Sequence, residues 1–263
     1  MSNADAVIAT LRSEFDDLAG LSSRFSDQQL AAPTAAEEWD VSQVLSHLGS
    51  GAEINQNTLR VSLEGKPNPG SEFNKAIWAR YDAADPRDRL EWFLAANEAL
   101  TQSFESLDEE TRQSLKIDTG YLPAPVDVAG FATARLNELA LHSWDVRAGF
   151  DPAATVTPAA TAHLLPLSKD VAGYTARPEA LDGLAAVIAV TTTDPEQTFT
   201  LTLGDKISTA LGAPEQADGT LTLPAEAWLR LVTGRLKPQY TPDGITTTGV
   251  ADLNLLRQVF PKF

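Results

Sequence analysis

Three histidines and no cysteine occur in the 263-residue chain. Two of the histidines stand in segments that read as pieces of one metal site. His47 closes the run Trp39-Asp40-Val41-Ser42-Gln43-Val44-Leu45-Ser46-His47, and His142 follows Glu138 by four residues. On a helix, residues four apart project from one face, a turn above one another. A carboxylate and an imidazole placed that way reach a single ion. Taken alone, a Glu-x-x-x-His pair is more commonly a surface pair or a satisfied core histidine, and it is His47 in its own segment that favours a site. His163 has no matching partner and reads as structural or solvated. Without cysteine there is no disulfide, no thiolate ligand and no internal thiol nucleophile. Sulfur chemistry, if any, must use a sulfur carried in by another molecule.

The elements that would present these residues are long helices. From about Ala4 to Phe25, Val7, Leu11, Phe15, Leu18 and Leu21 recur at steps of three and four, an amphipathic stripe. Asp40 with Gln43 three residues on has the form of a capping box, which predicts a helix starting at Val41 and running through His47 toward Leu59. Gly51, one turn past His47, leaves room beside the imidazole. A third helix is expected from Pro86, carrying Leu90, Phe93, Asn97, Leu100 and Phe104. The fourth is expected from Pro125 to Ala148, with Pro in its first turn and Gly149 just past its end. That helix is apolar on more than one side, so it should be largely buried. A buried, ionised Glu138 then needs a cation, a donor or a proton.

Near Gly149-Phe150-Asp151-Pro152 the pattern changes and predicts a linker. Ala185–Thr193, Thr198–Leu203, Thr220–Leu223 and Ile245–Val250 read as strands. A Pro-initiated helix from Pro224 to Val232 ends at Gly234, and Asp252 caps a last helix. The expected class is α+β: a helical domain over residues 1–150 and a smaller mixed domain over 151–263. Hydrophobic residues make up 43% of the chain, enough for a full core. A net charge of −16 disfavours nucleic acid and anionic membrane, both of which recruit cationic surface. No apolar run is long enough to span a bilayer, and the N-terminus lacks a secretory pattern. The expectation is a cytoplasmic monomer acting on small molecules.

Trp39-x-Val41 leading to Val44-Leu45-x-His47-Leu48, followed by Arg135-x-x-Glu138-x-x-x-His142-x-Trp144-Asp145-Val146, resembles the mycothiol-dependent maleylpyruvate isomerase family. The resemblance implies a DinB-like four-helix bundle followed by a sterol-carrier-like domain. It also implies a divalent ion, usually zinc, on His47, Glu138 and His142, with mycothiol as the thiol cosubstrate. Two imidazoles and one carboxylate leave a fourth tetrahedral position open, as catalytic zinc does and structural zinc does not. The Gly234-Arg235 pair resembles the family's C-terminal arginine and makes Arg235 the candidate for polarising an anionic substrate, in competition with Arg230 and Lys237.

Two reactions fit the resemblance. The thiol sulfur adds to a cis double bond, permits rotation and leaves, which is isomerisation by covalent catalysis; or it stays attached, which is a mycothiol S-transferase. A non-catalytic protein that binds a metal and a small ligand is the alternative of another class. Asp145 is placed to orient a ligand imidazole or to pair with Arg135 or Arg147. Trp39 and Trp144 read as core anchors rather than substrate contacts.

Overall fold

The computed structural model describes residues 3–261, and the chain divides into two compact units, residues 1–150 and 151–263.

In the first unit, α1 (Asn3–Ser22) buries Val7, Leu11, Phe15 and Leu18. The short α2 (Asp27–Leu30) precedes α3 (Val41–Leu63). The start of α3 is fixed by the expected capping box: the Asp40 carboxylate accepts from the Gln43 backbone N–H at 2.8 Å, and the Gln43 side chain accepts from the Asp40 N–H at 2.9 Å. Then come α4 (Ser71–Asp82), α5 (Pro86–Glu105) and α6 (Glu109–Ser114). A two-residue ladder, β1 (Lys116–Ile117) with β2 (Val126–Asp127), leads into α7 (Val128–Phe150). The long helices α1, α3, α5 and α7 form the bundle, and α4 packs on α3. Aromatic pairs join its members, Phe15 to Phe93 edge-on at 6.1 Å and Phe104 to Phe131 tilted at 5.8 Å.

Both boundaries of α7 differ from the sequence expectation. Pro125 does not open α7; residues 126–127 are extended in β2 and the helix begins at Val128. Gly149 does not terminate it either. The helix runs on to Phe150, and a Cβ at Gly149 would lie 2.6 Å from the Pro33 carbonyl oxygen. This glycine serves a close passage of the loop before α3, not a helix stop.

The second unit opens with α8 (Pro158–Leu164), which carries the half-buried His163, and α9 (Ser168–Thr175). A five-stranded sheet follows: β3 (Ala186–Thr193), β4 (Gln197–Leu203), β5 (Ser208–Leu211), β6 (Gly219–Pro224) and β7 (Thr246–Gly249), in the order β5-β4-β3-β6-β7. Only β3 and β6 are parallel, with Val190 opposite Leu221. One sheet face carries Ile188, Val190, Phe199, Leu201, Leu221 and Leu223 into the core. Between β6 and β7 lies α10 (Ala225–Val232), whose buried Trp228 stacks on Phe199 at 5.7 Å and donates Nε1–H to the Ser168 hydroxyl at 2.9 Å. Asp252 caps α11 (Leu253–Val259) through the Leu255 N–H. Among the described residues, no helix is long and apolar enough to cross a membrane.

Candidate metal centre

The helices α3 and α7 bring His47, Glu138 and His142 together: one ligand atom from each lies within 4.8 Å of the other two. Glu138 Oε2 is 3.0 Å from His47 Nε2 and 3.9 Å from His142 Nε2. The two imidazole centroids are 4.7 Å apart. Ligands at about 2.0–2.1 Å on a tetrahedral zinc stand roughly 3.3 Å from one another. The observed spacings bracket that value, so donor types and separations both fit a divalent ion.

Glu138 is less enclosed than the sequence suggested, with 45% of its side chain exposed. Burial still pushes its carboxyl up. The hydrogen bond from His47 and the charges of His142, His47 and Arg135 outweigh that effect and hold it down at about 2. The group is therefore a carboxylate at neutral pH, as a ligand must be.

Behind His142 sits Asp145, 1% exposed, with Oδ2 at 2.9 Å from His142 Nδ1. At that distance the imidazole and the carboxylate are electrostatically paired. A carboxylate there favours hydrogen on Nδ1 and leaves Nε2 as the electron-pair donor facing Glu138. Of the two arginines weighed as partners for Asp145, Arg135 donates to Leu48 and Asn97, and Arg147 stands 4.0 Å from Glu14.

Two sequence expectations need correction here. Trp39 is not a core anchor. It is half-buried, with its ring over both imidazoles, 5.2 Å from His47 and 5.8 Å from His142. Trp144, by contrast, is fully buried. The signal for Trp39 was its position at the turn before the Asp40 cap, which swings its ring back over the first turns of α3. The space at Gly51 is not beside an imidazole; a Cβ there would lie 3.1 Å from Arg135 Nη1.

In the second unit, Arg235 follows α10 directly after Gly234, whose φ of 70° is a left-handed helix end. Its competitor Arg230 is 1% exposed, bonded twice to Glu226 at 2.6 and 2.7 Å and once to the Tyr240 carbonyl at 2.7 Å. That guanidinium is committed to the fold. Arg235 is half-buried, with Nη1 3.4 Å from the Thr233 carbonyl oxygen.

Comparison with known proteins accords with this architecture. Residues 169–241 match the SCP-2 sterol transfer family. A crystal structure of the mycothiol-dependent maleylpyruvate isomerase is similar at a TM-score of 0.68 and 14% identity, over 99% of this chain and 97% of that one. A histidine-to-alanine mutant of the same protein aligns with the same TM-score and coverage at 13% identity. At those identities the likeness establishes the fold. A search of curated proteins returns no significant match. Residues 11–147, more than half of the sequence, match the family described as the mycothiol maleylpyruvate isomerase N-terminal domain, and the chain belongs to that family.

Proposed function

We propose that this protein is a metal-dependent enzyme, with zinc as the favoured ion, that uses mycothiol to carry out cis–trans isomerisation of a small unsaturated acid of the maleylpyruvate type. Family membership supports an isomerase enzyme. The observation that carries the reading is the convergence of two imidazoles and one carboxylate within 4.8 Å, a donor set that leaves a coordination position for a fourth ligand.

A divalent ion held there would stabilise an anionic sulfur and so favour thiolate over thiol near neutral pH. The rest falls to the chain. His47, Glu138 and His142 hold the ion, Asp145 sets the tautomer of His142, and Trp39 covers one side of both imidazoles against water. The nucleophile is external because the sequence contains no cysteine. Arg235 is proposed to bind a substrate carboxylate with its forked guanidinium.

The SCP-2 match raises a second reading, a carrier of apolar ligands. One cavity of the second unit, about 370 Å³, is lined by Glu179 and Asp205 besides Leu181, Leu184 and Ala185. Two carboxylates make this particular cavity a poor apolar container.

The test is a cobalt titration followed by addition of mycothiol. One equivalent of Co²⁺ should bind, mycothiol should change its visible spectrum, and turnover should require the thiol. Equal turnover without thiol would instead indicate a hydrolase that activates water.

A further inference from the structure

One turn before Glu138 on α7 lies a cation that the proposed reaction does not use. Arg135 is 2% exposed. Its Nη2 donates to the Leu48 carbonyl oxygen on α3 at 2.7 Å and to Asn97 Oδ1 on α5 at 2.6 Å. Asn97, also 2% exposed, turns its amide back to the same Leu48 oxygen at 3.4 Å and to the Phe93 carbonyl at 2.9 Å. Gly51 admits the guanidinium, because any side chain there would meet Nη1. Three helices are thus tied at one point, and that point is the residue next to His47.

Packing alone does not explain a guanidinium in this place. An apolar side chain of similar volume would fill the space without the desolvation penalty of a charge. Arg135 Nε has no hydrogen-bond partner, and burial lowers the pKa of the group to about 10 against the opposing pull of Glu138. What the guanidinium provides, and an aliphatic chain cannot, is a directional link to two acceptors on two other helices.

We propose that Arg135 is a positioning residue for the metal centre: by bridging Leu48 on α3 and Asn97 on α5 from its place on α7, it sets the distance from His47 to Glu138 and His142. The inference rests on the metal reading above. The 3.0 Å from His47 Nε2 to Glu138 Oε2 and the 4.7 Å between the imidazole centroids both span α3 and α7, and they tolerate little sliding of one helix along the other before the His47 donor is lost.

The experiment compares Co²⁺ affinity, the visible spectrum of the cobalt form and thermal unfolding in the full-length chain and four variants. Arg135→Met should weaken Co²⁺ binding about 10- to 100-fold, the range seen when a group supporting a ligand is removed, and should alter the spectrum. Arg135→Lys keeps the charge and can still donate to both acceptors, so it should restore most of the affinity. Asn97→Leu leaves the guanidinium in place and should shift affinity in the same direction as Arg135→Met, which keeps the inference testable if that variant does not fold. Leu11→Ala, in the core of α1, should lower stability while leaving affinity and spectrum as in the parent. Parental affinity and spectrum in folded Arg135→Met, or in Asn97→Leu, would overturn the proposal. An equal affinity loss in Leu11→Ala would overturn it too, by showing a general stability effect. A parent chain that binds no Co²⁺ would be a different failure, that of the metal reading, and would take this inference with it.

Discussion

At the scale of single residues, the ligand set makes two demands that can be measured. Replacing His142 with Ala should abolish stoichiometric metal binding, since a carboxylate and one imidazole are left to hold the ion; full occupancy in the variant would move the site elsewhere. Acidification should also release the metal, and the order of events has a definite sign. Glu138 has its carboxyl held at about 2, so it stays charged through the mildly acidic range, whereas an imidazole must be neutral to act as a ligand. Occupancy measured against pH should therefore fall through proton uptake by the histidines, with Glu138 still charged, and metal fully retained near pH 4 would argue for an all-carboxylate site. Because the folded pKa of Glu138 lies below its ordinary 4.5, its contribution to metal-free stability is present above that value and is lost only as pH falls toward 2. Asp145 belongs to the same scale: Asp145→Asn removes the charge opposite His142 Nδ1 and should weaken metal binding about 10- to 100-fold. The Glu138 and His142 pair was legible because helical spacing is a local property, whereas the approach of His47 from another helix rested on its own segment and the resemblance. Trp39 was not, since the fold of a turn decides whether an aromatic faces the core or a cluster of imidazoles.

The helices set how closely those residues meet, and here α3 is the sensitive element. It crosses α5 at Gly49, where a Cβ would sit 2.7 Å from Tyr81 Cε1 and 3.0 Å from Phe93 Cα. The ring can shift, but the backbone atom belongs to α5 and cannot yield without moving that helix. Gly49→Ala should thus cost about 1–3 kcal/mol in urea unfolding, as overpacking of a tight contact does, and should loosen metal binding because His47 lies two residues away. A neutral substitution would show that the crossing relaxes freely. The helices that were legible have strong end signals, as in the Asp40 and Gln43 box of α3, or long stripes, as in α1 and α5. The missed α4 has only Ile77 and Tyr81 buried, so it lacks a stripe to read. The strand β5 was missed for the same reason, having no buried residue in Ser208–Leu211. The misplaced start of α7 has another cause: Pro125 is compatible with a first helical turn, and the pairing of Lys116 with Asp127 and of Ile117 with Val126 pulls the following residues into a strand.

For the molecule as a whole, the two units divide the proposed labour in a way that mutation can separate. All three proposed ligands, Asp145, Trp39 and the Arg135 link lie in residues 1–150, whereas the proposed substrate-binding cation, Arg235, lies in residues 151–263. The two-unit organisation was legible from the change of hydrophobic period near Gly149. The position of Arg235 rested instead on a Gly-Arg pair after a helix, and the fold strengthens it only by committing Arg230 to Glu226 and Tyr240. If Arg235 recognises a carboxylate through two parallel N–H donors, Lys at that position keeps the charge but loses the fork. Arg235→Lys should then reduce turnover of a maleylpyruvate-type substrate by an amount corresponding to roughly 2–4 kcal/mol of transition-state stabilisation, comparable to removing one oxyanion donor. Metal content and thermal stability should stay near parental values, because Lys keeps the charge and most of the aliphatic stem of this half-buried side chain. Unchanged kinetics with intact metal would assign Arg235 to the surface of the second unit and leave substrate recognition to groups of the first. A loss of turnover together with a loss of metal would instead mean that Arg235 supports the fold, since no ligand of the proposed centre lies in its unit.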